Sequence, residues 1–146
     1  MKNLSDSNRP VCKLKNVLFM ALVMVFCLIS SKSIAQKAKW VTPKLAESIK
    51  NPLAGNNTTL ADSKTLYVNN CAPCHGLKGK GDGPAAQALT PKPADHSSSV
   101  IQSETDGSLF WKLSEGRNPM PGYKKMFTEQ QRWGLINYIR TLAKKS

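Results

Sequence analysis

The pentapeptide Cys71-Ala72-Pro73-Cys74-His75 constrains this chain more than any other stretch. Two thiols two residues apart, with a histidine directly after the second, allow three chemistries. They could form a redox disulfide, supply part of a zinc site, or anchor a haem covalently. Each needs a different setting, so the rest of the chain has to choose among them.

Of the four cysteines, Cys12 and Cys27 lie in the first 35 residues. Lys2, Arg9, Lys13 and Lys15 precede an uncharged run at 17–30, VLFMALVMVFCLIS, and Ser33 and Ala35 place small residues at −3 and −1. That is the layout of a secretory signal, with cleavage expected after Ala35. As a helix the run spans about 21 Å, short of the ~30 Å hydrocarbon core, so a retained N-terminal membrane anchor is only the alternative. Phe26, where a small residue should precede Cys27, argues against a lipoprotein site. A periplasmic protein beginning at Gln36 is expected, organised as a signal peptide at 1–35, an N-terminal arm at 36–60 and one domain at 61–146.

Beyond Ala35 stand sixteen Lys and Arg against eight Asp and Glu, a net charge of +8. Such a surface attracts acidic partners. The lysines are scattered without an interleaved aromatic stripe, so no nucleic-acid partner is expected.

Cys71 and Cys74 are the only cysteines after Ala35, and His75 and His96 the only histidines. A structural zinc site normally takes four such ligands, and adjacent Cys74 and His75 are awkward for one ion. A thioredoxin-like CxxC follows a strand and opens a helix, which lowers its thiolate pKa. Here the motif follows a helical pattern instead. Covalent haem uses every residue of the motif: both thiols add to the vinyl groups along one porphyrin edge, and His75 then lies where it can bind the iron.

The chain reads as mostly helical. LADSKTLYVNN at 60–70 predicts a helix with Leu60, Leu66 and Tyr67 near one face, running into Cys71. A loop with Gly76, Gly79, Gly81 and Gly83 follows, then a short helical turn within 85–90 before Pro91. Asp106 is expected to cap a helix over 108–115, with Gly116 ending it. Thr128 and Gln131 make a capping-box pattern for a final helix over 129–144, whose apolar stripe includes Trp133, Leu135, Ile136, Ile139 and Leu142. The arm has little periodicity, with Trp40 and Leu45 as expected docking points. GKGDG is no phosphate loop, since it lacks both the GK[ST] ending and the GxGxxG pattern. Glycine there allows close backbone approach or a tight turn.

CAPCHG, GKGDGPAAQAL, PKPAD, DGSLFWKLSEGRNPMPGY and QRWGLINYIRTL together resemble the class I mono-haem cytochromes c, in particular small bacterial periplasmic ones, over residues 61–146. The resemblance implies an all-α cytochrome c fold in which N- and C-terminal helices cross around a covalently bound haem c. It places Met120 as the distal iron ligand opposite His75, and the Pro84 carbonyl as acceptor for the other ring N–H of His75. Leu89, Phe110, Trp111 and Tyr123 are expected to line the haem pocket, although all four also suit an ordinary core. His96 departs from the pattern, because an aromatic such as Phe is expected after PKPAD.

Two prolines stiffen the Met120 loop, reducing the entropy lost in presenting its sulfur, and a thioether favours Fe(II) over Fe(III). Met126 and His96 are rivals for that position; Met126 is expected to pack at the start of the last helix. The implied function is an exported single-electron carrier rather than an enzyme, since no catalytic constellation and no small-molecule substrate site is visible. Its partners would be periplasmic or membrane-bound redox proteins met through acidic faces. The alternative is a haem-bearing subunit of a larger periplasmic dehydrogenase or reductase, with the arm as docking strap. A third reading, an enzyme or gas sensor, requires an open sixth position on the iron.

Overall fold

The computed structural model describes residues 40–143. The expected signal at 1–35 with its cleavage after Ala35, the start of the arm at 36–39, and Lys144 and Lys145 lie outside the described residues. Six helices follow in order: α1 Lys44–Glu47, α2 Leu60–Asn70, α3 Ala72–His75, α4 Ser99–Gln102, α5 Asp106–Glu115 and α6 Glu129–Thr141, with a 3-10 turn at Ala86–Ala88 between α3 and α4. Among the described residues there is no strand, only an isolated bridge between Arg117 and Met120, and no helix is long and apolar enough to cross a membrane.

The core is built on α6. Its first turn closes as the sequence implies: the Thr128 hydroxyl accepts from Gln131 N at 3.2 Å, while Gln131 Oε1 accepts from Thr128 N at 2.9 Å. Trp133, Leu135, Ile136, Tyr138 and Ile139 are buried. Helix α2 packs across α6 and sets the Tyr67 ring 5.0 Å from that of Tyr138. Close approach depends on Gly134, where an added Cβ would stand 2.4 Å from the buried Ser63 hydroxyl. Gly134→Ala is therefore expected to cost about 1–3 kcal/mol through overpacking. Adding Ser63→Ala should recover most of it, since the next Ser63 atom is 3.6 Å away. Thermal unfolding of the single and double variants checks this, and an unchanged midpoint for G134A would mean the crossing does not rest on this contact.

Helix α5 begins earlier than expected, because Thr105 caps it through a bond from Ser108 N at 3.1 Å. Asp106 serves another purpose. Its carboxylate accepts from Arg140 Nε and Nη2 at 2.8 and 2.7 Å and from Asn51 at 2.8 Å. Arg140 also donates to the carbonyls of Ile101, Gln102 and Glu104, joining α6 to the turn before α5.

The arm is part of this framework. Trp40 meets Trp111 edge-on at 6.5 Å, with the Arg117 guanidinium 4.9 Å from its ring. Thr42 bonds Ser108 hydroxyl to hydroxyl at 2.7 Å. Buried Ala46 lies on Gly107, where a Cβ would come within 2.2 Å of the Ala46 carbonyl oxygen. Asn51 reaches Asn137 on α6 at 2.8 Å. Trp40 docks as expected, but Leu45 is 80% exposed and Ala46 makes the contact instead. The one-turn helix α1 turns Ala46 inward and Leu45 outward.

Candidate haem site

Helix α2 runs into α3 with only Cys71 between them. Cys74 N and His75 N both bond the Cys71 carbonyl, at 3.1 and 2.8 Å. This single turn puts positions i, i+3 and i+4, which are Cys71, Cys74 and His75, on one face. The glycine loop then folds back to satisfy the carbonyls at the end of α3. Gly81 N donates to His75 O at 2.8 Å, Gly83 N to Cys74 O at 3.1 Å and Ala85 N to Pro73 O at 2.9 Å. A Cβ on Gly83 would lie 2.4 Å from two carbonyl oxygens, those of Ala72 and Pro73. The glycines thus hold the motif in shape from behind.

Both motif cysteines are free thiols, Cys71 buried and Cys74 half-buried. Burial, reinforced by neighbouring Cys74, pushes the Cys71 thiol up to about 12. A redox disulfide centre needs the opposite shift. Among the described residues, no group of three or more His, Cys, Asp or Glu side chains is placed to hold a metal ion by itself.

His75 is buried, and its Nδ1 lies 2.9 Å from the Ala94 carbonyl oxygen. That contact makes Nδ1 the protonated nitrogen and leaves Nε2 with its lone pair. Burial lowers the His75 pKa, against an opposing contribution from the Ala94 bond. The result is a neutral imidazole with one donor nitrogen unspent. The expected Pro84 acceptor is replaced here by Ala94. Gly83 N and Ala85 N are pinned to the α3 backbone, so Pro84 between them is exposed on a groove shared with Val68 and Leu77. A main-chain acceptor 19 residues away has no side-chain signature, which is why the sequence did not reveal it.

His96 stacks on His75, with ring centroids 4.0 Å apart and planes inclined 17°. Its Nδ1 is 3.1 Å from the Tyr67 hydroxyl. Burial, aided by nearby His75, lowers the His96 pKa to about 3. Two trans axial ligands would point nitrogens at each other from opposite porphyrin faces. Rings lying face to face do not, so this arrangement leaves His96 beside His75 rather than opposite it.

Met120 sits in a loop folded back on α5. Arg117 and Met120 exchange two backbone bonds of 2.9 Å, and Tyr123 N and Lys124 N bond the carbonyls of Leu113 and Ser114 at 3.0 and 3.1 Å. Half-buried Met120 packs on the apolar cluster that contains Cys71 and Tyr123. Met126 is 61% exposed and does not pack at the start of α6 as expected.

The four expected pocket residues separate. Buried Tyr123 donates to the Asn70 carbonyl at 3.1 Å, and burial, with Cys71 and then Cys74 close by, pushes it up to about 12. Phe110 stacks on Trp133 at 3.8 Å under the Arg132 guanidinium. Trp111 is committed to Trp40 of the arm. Leu89 is half-buried just after the 3-10 turn.

These residues fit covalent haem: two unpaired thiols and an imidazole on one face of a turn, with the imidazole neutral and its tautomer set. A thioether lies on the same apolar cluster as the first thiol.

An all-helical domain formed around such a turn defines a haem-binding protein. Residues 60–143 match the cytochrome c family profile, and the chain belongs to the cytochrome c family, whose members carry covalently bound haem c with its iron and transfer electrons. It is 30% identical over 105 residues to the cytochrome c subunit of alcohol dehydrogenase (quinone) from Gluconacetobacter polyoxogenes, and equally to that from Komagataeibacter europaeus. Each match covers 64% of this chain but only 21% of the relative's length. Among solved structures, it resembles a chain of the Kuenenia stuttgartiensis reducing HAO-like protein complex. That match has a TM-score of 0.55 and 26% identity, covering 72% of this chain and 53% of the other. A solved c-type cytochrome aligns with TM-score 0.50 and 21% identity, over 56% of this chain and 98% of its own, and shares the fold.

Proposed function

We propose that this chain is an exported carrier of single electrons, with one haem linked through thioethers to Cys71 and Cys74 and its iron held between His75 and Met120. The observation that carries this reading is the Cys71–His75 turn, where unpaired thiols and a neutral, tethered imidazole share one face. When bound, the haem iron supplies the Fe(II)/Fe(III) couple. His75 offers Nε2 because Ala94 occupies Nδ1. The Met120 loop, closed by the Arg117 pairing and tied to the end of α5, presents a thioether with little freedom to withdraw. The export pattern at 1–35 supports a periplasmic location, where c-type haem is attached.

Beside α3, Lys78 and Lys80 stand exposed on the groove with Val68 and Leu77. They suit transient docking onto acidic faces of periplasmic or membrane-bound redox proteins, with association weakening as salt rises. A second reading, a subunit held in a larger dehydrogenase or reductase, is favoured by the relatives, which are themselves subunits. The arm gives it no separate support, because its described residues pack on the chain's own α5 and α6.

Size-exclusion of the native protein at high salt, followed by its haem absorption, tests the carrier reading. Elution at monomer size with a near-infrared band of Met-bound Fe(III) is expected. Co-elution with a partner would replace the free carrier by the subunit, and absence of the band would open the sixth position.

A further inference from the structure

We infer that His96 is a positioning residue for the proximal ligand: its ring, tethered by Tyr67, fixes the plane of the His75 imidazole and so tunes the haem that His75 binds. The inference rests on the reading of His75 as an iron ligand.

One short segment controls two aspects of the His75 ring. The Ala94 carbonyl accepts a hydrogen bond from its Nδ1, and two residues on, His96 stacks on its face with ring centroids 4.0 Å apart. The hydrogen bond alone allows the imidazole to pivot about the Nδ1 contact; a second ring across its face removes that freedom.

His96 is itself held from three sides. Its backbone N donates to Gly79 O at 2.6 Å, and its carbonyl accepts from Gln102 Nε2 at 2.7 Å. The same amide donates to Ile139 O at 3.0 Å, tying the segment to α6. Its Nδ1 meets the hydroxyl of Tyr67, a fully buried residue whose ring lies on Tyr138 in the α2–α6 crossing. Gly79 leaves the room: a Cβ there would come within 3.0 Å of His96 Cβ and 3.3 Å of the Tyr67 hydroxyl.

A phenylalanine at 96 could stack on His75 but could not bond Tyr67. The buried hydroxyl would then keep only its 3.4 Å contact with the Gly76 carbonyl. Histidine supplies the stacking face and the partner for Tyr67 in one side chain. Groups that orient a metal-bound histidine and set its basicity alter the metal's properties without touching it. The orientation of an axial imidazole also governs how unpaired spin spreads over the ring of an oxidised haem, which makes it measurable.

The test compares oxidised holoprotein of the wild type with H96A, H96F and Y67F, using proton NMR of the haem methyl groups and potentiometry. Intact mass confirms covalent haem in each. H96A is expected to re-space the methyl resonances and shift the midpoint potential, Y67F to change both in the same direction by less, and H96F to stay nearer the wild type because it keeps the stack. Wild-type spacing and potential in both H96A and Y67F would overturn the inference. Should H96A not mature, Y67F and His96→Leu carry the test: altered spacing supports the inference and wild-type spacing overturns it. A wild-type protein without covalent haem, or without the spectrum of a histidine-ligated low-spin iron, would instead overturn the proposed function.

Discussion

Met120→Ala is expected to leave the haem attached but open the iron's sixth position. Met120 is half-buried on the apolar cluster, and its loop is held by backbone bonds on both sides of the residue. Truncating the side chain therefore removes the sulfur without dismantling the loop. The near-infrared band of Met-bound Fe(III) should vanish, the oxidised iron should turn largely high-spin, and the reduced protein should bind carbon monoxide. The reduction potential should fall by about a tenth of a volt or more, within the ~0.8 V over which axial ligands set haem potentials. Exposed Met126 provides the control: M126A should keep band and potential. If M120A retains the band and M126A loses it, the ligand assignment is wrong.

The second large effect is expected from Cys71→Ala with Cys74→Ala. Without either thiol no thioether forms, and haem should be lost on denaturation. The single variants should each keep one link. Cys71 belongs to the same buried cluster as Tyr67, Leu109 and Tyr123, so losing the haem it anchors also weakens the fold. Domains of this kind have only about 5–15 kcal/mol of net stability to lose. The double variant should accumulate poorly and melt at a markedly lower temperature. Denaturing electrophoresis with haem staining, together with thermal unfolding, checks both parts. Covalent haem surviving in the double variant would contradict the site.

What could be read from the sequence was whatever is local along the chain. Cys71, Cys74 and His75 are neighbours, and their spacing carries their chemistry. Helices α2 and α6 are marked by length and the spacing of their apolar residues, and α6 also by the Thr128–Gln131 box. One-turn helices have no period to read, so α1, α3 and α4 leave no mark in the sequence, and the arm looks looser there than it is. Its attachments are single polar or aromatic contacts across 55 to 86 residues of sequence, such as Asn51 with Asp106 and Asn137.

The His75 acceptor failed for another reason. Pro84 and Ala94 both offer a carbonyl, and only the folding of the glycine loop onto α3 decides between them. Trp111 shows the same limit among aromatics. Pattern marks it as apolar and partly buried, but only the fold shows that its neighbour is Trp40. His96 was visible as a departure after PKPAD, whereas its place against His75 required three dimensions.

The most direct test of the central claim is the intact mass, under denaturing conditions, of the protein recovered from cells that export it and assemble c-type haem. The account predicts a chain beginning at Gln36 that carries the added mass of one haem. A chain with no added mass, or one lighter by two hydrogens from a Cys71–Cys74 disulfide, would contradict it.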